Sequence, residues 1–143
     1  MSANRYVATR RVGFGHCDPA GFVFYPRFLD FVHEAEEDWL REAIGWPFAD
    51  AVRNLHLGLP VVKAAVDWHA PSRQGDVLAI AVSVADVGGA SMRLRFEIEC
   101  GGEARASVVL TVVQMDLRTG RSVRIGDDLR GRLERFRAGD EPT

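Results

Sequence analysis

Phe14-Gly15-His16-Cys17-Asp18-Pro19-Ala20-Gly21-Phe22-Val23-Phe24-Tyr25-Pro26 is a glycine-punctuated loop that carries a single acidic side chain and runs straight into a long helical pattern. From Phe24 onward the apolar residues Phe28, Phe31, Val32, Ala35 and Trp39 recur three and four positions apart, while Arg27, Asp30, Glu34, Asp38 and Arg41 fill the opposite side. This spacing predicts a helix stopped by Gly45 and Pro47. A second apolar line through Leu29, Leu40 and Ile44 predicts that the helix is covered on more than one side, as a central or interface helix would be. Asp18 then lies beside the unpaired N–H groups of a helix start. A carboxylate there can attack a carbonyl, or activate water toward it, while those N–H groups stabilise the developing oxyanion.

Working outward, Tyr6 to Val12 interleaves β-branched and aromatic residues with Thr9, Arg10 and Arg11, a strand signal closed by Gly13 and Gly15. Pro47 to Leu57 can hold one more short helical piece before the Gly58-Leu59-Pro60 turn. After it, alternation predicts strands over Val61–His69, Val77–Val87, Met92–Cys100 and Ala104–Leu117, read as an antiparallel meander. Arg118-Thr119-Gly120-Arg121 is a further turn, and Asp127 is a candidate cap for a charged helix from about Asp128 to Arg137. One long helix and one long sheet are reconciled if the twisted sheet curls around the helix and a second subunit covers the remaining apolar surface.

At 143 residues, 47% of them apolar, the chain matches one domain, residues 1–143, with frayed last residues from Ala138 to Thr143. A net charge of −2 gives no global attraction to nucleic acid or to an anionic membrane. Met1-Ser2-Ala3-Asn4-Arg5 is polar with no apolar h-region after it, and no window is long enough for a membrane span. The expectation is a cytoplasmic protein with neither nucleic-acid nor membrane partners. Cys17 and Cys100 form no C-x-x-C pair, which favours reduced thiols.

His16 and Cys17 adjoin Asp18 but lack the spacing of a zinc site, so a structural role is expected for both, and no metal. His33-Glu34-Ala35-Glu36-Glu37 lacks the second histidine of a zinc-protease helix and reads as a charged face. His56 and His69 read as structural histidines, and neither a G-x-S-x-G elbow nor a P-loop occurs.

Gly15-x-x-Asp18-Pro19-Ala20-Gly21-x-x-x-Tyr25-Pro26, the helix after it and the later Leu59-Pro60-Val61-Val62 resemble the hotdog-fold 4-hydroxybenzoyl-CoA thioesterase family of the Pseudomonas kind. The resemblance implies an α+β, single-domain hotdog fold with an antiparallel sheet wrapped around one long central helix. It further implies dimers joined sheet edge to sheet edge, a dimer of dimers (homotetramer), active sites at the dimer interface and an acyl-CoA substrate. No cofactor is implied, since the CoA belongs to the substrate.

Position by position, the resemblance implies that Asp18 is the catalytic carboxylate and that the Tyr25 backbone N–H polarises the thioester carbonyl. Local chemistry agrees: Pro26 lacks an N–H at no cost in the first turn and leaves the Tyr25 N–H free for a ligand. Gly21 lets the loop backbone approach the substrate, and Gly21, His33 and Pro60 are the expected substrate-binding residues. His33 stands where hydroxybenzoyl-specific members carry an aspartate that accepts a bond from the phenolic hydroxyl. A neutral imidazole can accept such a bond, suit another ring substituent, or pair with Glu37 one turn later.

Related enzymes hold the CoA phosphates with basic residues near a turn that here reads Val87-Gly88-Gly89-Ala90-Ser91. Lys63, Arg73, Arg93, Arg121 and Arg124 are the possible substitutes. The expected activity is hydrolysis of an aromatic acyl-CoA, with Asp18 as nucleophile through a mixed anhydride or as general base on water. The alternatives are a short-chain acyl-CoA or acyl-carrier-protein thioesterase like the Tol-Pal-associated hotdog enzymes, and a non-catalytic acyl-CoA-binding module.

Overall fold

The computed structural model describes residues 4–138. The chain runs β1 (Tyr6–Arg11), α1 (Arg27–Trp39), a π-helical continuation (Leu40–Ile44) and α2 (Phe48–Asp50) with a second π-helical turn (Ala51–Leu55). There follow β2 (Leu57–Gly58), β3 (Val61–Trp68), β4 (Val77–Val87), β5 (Ser91–Cys100), β6 (Glu103–Val113), β7 (Met115–Asp116) and α3 (Asp127–Glu134). Five strands form one antiparallel sheet in the order β1-β4-β5-β6-β3, and β2 pairs with β7 apart from it.

Alternation decides which face of the sheet is wet. Ile80, Val82 and Val84 of β4, Leu94, Phe96 and Ile98 of β5, and Val108 and Val112 of β6 are all buried, and their odd-even neighbours are not. Phe28, Phe31, Val32, Ala35 and Trp39 of α1 belong to the same buried cluster, so the helix lies across the inner face of the sheet. Each large apolar side chain buried this way contributes about 1.5–3 kcal/mol, which makes the helix–sheet contact the main source of stability. Of the second apolar line Leu40 and Ile44 are buried, but Leu29 stays exposed. Gly45, with φ +78°, ends the helix in the left-handed region.

Several local expectations are corrected. The four later strands are not a simple meander: β4, β5 and β6 are consecutive neighbours, whereas β3 pairs with β6 at the far edge. The chain cannot turn straight back after β3, because residues 71–76 are tied to the end of β1. Val12 N donates to Asp76 O and Gly75 N to Val12 O, both at 2.8 Å. The strand expected over Ala104–Leu117 breaks at Gln114, which is buried and whose side-chain amide donates to Val123 O and Arg124 O, bending the chain away. Helix α3 begins at Asp127 with Gly126 as its cap, so Asp127 sits in the first turn. Ala138, expected to fray, donates its N–H to Val84 O at 3.0 Å, and residues 139–143 lie outside the described residues.

Candidate active site

The Asp18 loop is a miniature hairpin. Cys17 bridges Val23, Asp18 N donates to Phe22 O at 2.8 Å, and Gly21 N donates to Asp18 O at 2.9 Å, closing a turn over Pro19 and Ala20. Gly21 follows that turn at φ +86°, the bulge position of a three-residue hairpin loop, where a Cβ would be strained. The Asp18 carboxylate caps its own turn: Oδ1 accepts from Ala20 N at 2.9 Å and from Phe22 N at 3.3 Å. Oδ2 accepts no hydrogen bond among the described residues, and Asp18 enters no ion pair there. One oxygen fixes the carboxylate in place and the other has no partner among the described residues.

Two residues that flank Asp18 are spent on structure. The His16 ring accepts from Gly13 N at 2.9 Å through Nδ1 and packs on Phe31, and Cys17 Sγ donates to Gly13 O at 3.6 Å. The hairpin is stitched to the segment after β3, since Val23 N donates to Ser72 O at 2.8 Å and Phe22 bridges Arg73. That segment is held in turn by Asp76, which accepts from Arg73 N and from Arg105 Nη1. The Arg105 guanidinium keeps the Asp76 carboxyl below the usual carboxylate range.

At the helix entrance Phe24 N donates to His16 O and Arg27 N to Phe24 O, while Pro26 has no N–H to give. The Tyr25 N–H donates to nothing among the described residues. Beside it opens a cleft of about 380 Å³ walled by Phe22, Tyr25, Phe28, Trp68 and Ser72. Trp68 meets the Phe28 ring edge-on at 4.9 Å, so the end of β3 and the first turn of α1 form one aromatic wall. An unsatisfied backbone donor, a positioned carboxylate and an aromatic slot within one stitched unit can take an acyl group and polarise its carbonyl.

Of the remaining candidates His69 also lines this cleft, whereas His33 and Pro60 lie apart from it. His33 projects from the middle of α1 with its side chain 60% exposed, against Phe48 and 3.9 Å from Glu36 Oε1; the partner is Glu36, not Glu37. Pro60 sits at the opposite end of β3, its carbonyl accepting from Val113 N. His69 contacts Ser107 Oγ at 2.9 Å, and His56 adopts φ +55° where the second π-helical turn ends. Of the basic candidates Arg73 is beside the cleft, its guanidinium 5.0 Å from the Phe22 ring centre. Arg93 lies 4.0 Å from Asp86 and Arg124 3.9 Å from Asp127, while Lys63 and Arg121 make no ion pair among the described residues.

The family model described as the thioesterase-like superfamily matches residues 12–133, from the end of β1 to α3. The chain belongs to that superfamily. The thioester-hydrolase and hotdog expectations therefore hold at the level of the family. A 1,4-dihydroxy-2-naphthoyl-CoA hydrolase of Nostoc punctiforme is 27% identical over 136 residues, 95% of this chain and 91% of its own. The long-chain acyl-CoA thioesterase FadM of Escherichia coli is 26% identical over 123 residues, 85% of this chain and 91% of its own. The structure of a gentisyl-coenzyme A thioesterase superposes with a TM-score of 0.82 at 27% identity, covering 90% of this chain and 99% of the other. No helix among the described residues is long and apolar enough to cross a membrane.

In this thioesterase sequence reasoning missed the cleft wall made by Trp68 and Ser72, and it missed Glu36. Glu36 reads as part of a charged face, yet it is 1% exposed and its Oε2 has no partner. Burial, with a smaller push from Glu37, raises its carboxyl to about 7. The signal was present: position 36 follows Val32 by four and precedes Leu40 by four, which puts it on the apolar stripe.

Proposed function

We propose that this thioesterase hydrolyses the CoA thioester of an aromatic acid, releasing the free acid and CoA. The observation that carries the reading is the unpaired Tyr25 N–H at the mouth of an aromatic cleft, in the same stitched unit as Asp18. The acyl ring lies in the cleft against the wall that Phe28 and Trp68 form together, and its carbonyl oxygen accepts from Tyr25 N–H at the positive end of α1. Asp18 Oδ2 then either attacks the carbonyl carbon, expelling CoA thiolate and leaving a mixed anhydride for water to open, or takes a proton from the water that attacks. Neither route calls for a metal or a cofactor. Arg73 is placed to meet a CoA phosphate at the cleft mouth.

A homo-oligomer completes the site. β3 is a free sheet edge with Val61, Val62 and Trp68 exposed, the kind of edge that single chains ordinarily cover or charge. Antiparallel pairing of two such edges would bring the Pro60 end of one copy to the Trp68 end of the other, which accounts for Pro60 standing remote from the cleft within one chain. We place the protein in a reducing compartment, the cytoplasm, where the free Cys17 and Cys100 persist as thiols.

The test is thiol release across benzoyl-, hydroxybenzoyl-, phenylacetyl- and aliphatic CoA esters, for the wild type and for Asp18→Asn. Preference for aryl esters with loss of turnover in the variant supports the reading. Preference for aliphatic esters assigns a different acyl group. Tight thioester binding without turnover in the wild type would mark a binding module.

A further inference from the structure

Arg105 stands outside the alternation of its strand. Ile98 of β5 is in register with Ala106 of β6 and Glu99 with Ala104, so Arg105 is the extra residue of a β-bulge. Unbroken alternation from Ser107 would set its side chain on the open outer face, yet that side chain is only 12% exposed. A bulge turns a side chain off the line of its strand, and here a guanidinium meets the segment after β3. Arg105 Nη1 donates there to Pro71 O at 3.1 Å, to Ser72 Oγ at 3.0 Å and to Asp76 Oδ2 at 2.7 Å. Its other charged neighbour, Glu103 at 2.7 Å, is exposed and belongs to its own strand, so it anchors nothing of the site.

The acceptors belong to the segment on which the Asp18 hairpin rests. Ser72 is buried, and its carbonyl takes the Val23 N–H. Asp76 Oδ2 accepts from Arg105 and also from Arg73 N at 2.9 Å, and Arg73 is bridged to Phe22. Phe22 N in turn donates to Asp18 Oδ1 at 3.3 Å. A chain of contacts thus runs from the sheet, through Asp76, Arg73 and Phe22, to the carboxylate. The aromatic wall is anchored otherwise. At the end of β3, His69 N and Ala70 N donate to the Arg105 backbone carbonyl, which a change of side chain leaves in place.

We infer that Arg105 is a positioning residue for the reaction, acting through Asp76 and the segment 71–76 to hold the Asp18 carboxylate against its backbone donors. The inference rests on the reading of Asp18 as the reacting carboxylate. A well-oriented reacting group lowers the barrier without tightening the hold on substrate, and a misplacement of about 1 Å can cost about a hundred-fold in rate. Loss of the Arg105 side chain therefore acts on kcat, while KM, set by the aromatic wall, moves little.

The test is steady-state thiol release from whichever ester of the CoA panel the wild type turns over best, with circular dichroism to confirm folding. Arg105→Met should lower kcat by about ten-fold to a hundred-fold, with KM within about three-fold of the wild type. Arg105→Lys, whose ammonium can still donate to several acceptors, should recover much of that loss. Asp76→Asn keeps the shape and loses the charge, so it should lower kcat in the same sense, and it carries the test if Arg105→Met does not fold. In an Asp18→Asn background Arg105→Met should cost nothing further, because the group it positions is gone. A folded Arg105→Met, or Asp76→Asn in its place, with the wild-type kcat would overturn the inference. So would a loss that multiplies undiminished onto that of Asp18→Asn. Failure of the catalytic reading looks different, since Asp18→Asn alone would then keep its rate.

Discussion

Two carboxylates bracket the first half of α1, and the chain treats them in opposite ways. Asp18 precedes the helix, half-buried, with two backbone N–H groups on one oxygen and the other oxygen open. Glu36 lies inside the helix, buried among apolar residues, with one oxygen 3.9 Å from His33 Nδ1 and the other unpartnered. Backbone amides stabilise a negative charge at the first position, and burial opposes it at the second. The difference teaches where backbone donors hold a carboxylate in place and where burial works against its charge.

Removing the first carboxylate should have the largest effect. Asp18→Asn keeps an oxygen that can cap the turn, so the hairpin and the fold should persist, by circular dichroism and unchanged solution mass. An amide is neither nucleophile nor base, and thiol release should fall by about three orders of magnitude or more. A variant that retains most of its rate would break the comparison, because the open oxygen would then have no chemical role.

Glu36→Gln should act on stability instead. The Glu36 carboxyl is raised from 4.5 to about 7 by burial. Between those values the folded chain holds a proton that the unfolded chain has released, so stability is highest below pH 4.5 and declines as pH rises through 7. A shift of this size corresponds to about 3 kcal/mol. Urea unfolding at pH 5 and pH 8 should show the wild type losing roughly that amount relative to Glu36→Gln, which cannot ionise. Parallel pH dependence in the two proteins would mean that burial does not burden this carboxylate.

How much of this could be read from the sequence differs between the same two regions. The Asp18 hairpin is local: Asp-Pro-x-Gly, Pro26 and the apolar spacing of α1 specify a turn, a helix start and a free N–H within a dozen residues. The main strands were equally legible, because alternation is a local signal. Partner choice was not. β3 lies beside β6 through a ladder that runs from Val61–Val112 to Trp68–Ala106, between residues far apart in sequence. The cleft wall at Trp68 and Ser72 inherits that obscurity, since it exists only once β3 has crossed the sheet. Glu36 was hidden for another reason: residue type argued for the surface while position argued for the core, and position prevailed.

Gly21→Ala gives a finer test of the Asp18 region. The added methyl has open space around it, so any cost comes from holding φ near +86°. A left-handed non-glycine residue costs about 1–2 kcal/mol. A modest fall in melting temperature should accompany a fall in kcat/KM several times larger than the stability loss explains, because the turn also sets the two amides on Asp18 Oδ1. A loss of stability with unchanged kcat/KM would show that carboxylate placement tolerates a relaxed turn.

His33→Ala should have the smallest and most selective effect. The His33 ring leans on Phe48 near the buried Glu36, with most of its surface open. If that ring accepts a hydrogen bond from a substituent on the acyl group, its removal costs only the bond, about 1–3 kcal/mol for an acceptor left without replacement. Rates for hydroxylated aryl esters should then fall by roughly ten-fold to a hundred-fold, while benzoyl and aliphatic esters change little. Uniform loss across the panel, with a lowered melting temperature, would instead assign His33 to the packing of α1 against α2. The two carboxylates would then share no functional link through this histidine, and the acyl group would be read by the aromatic wall alone.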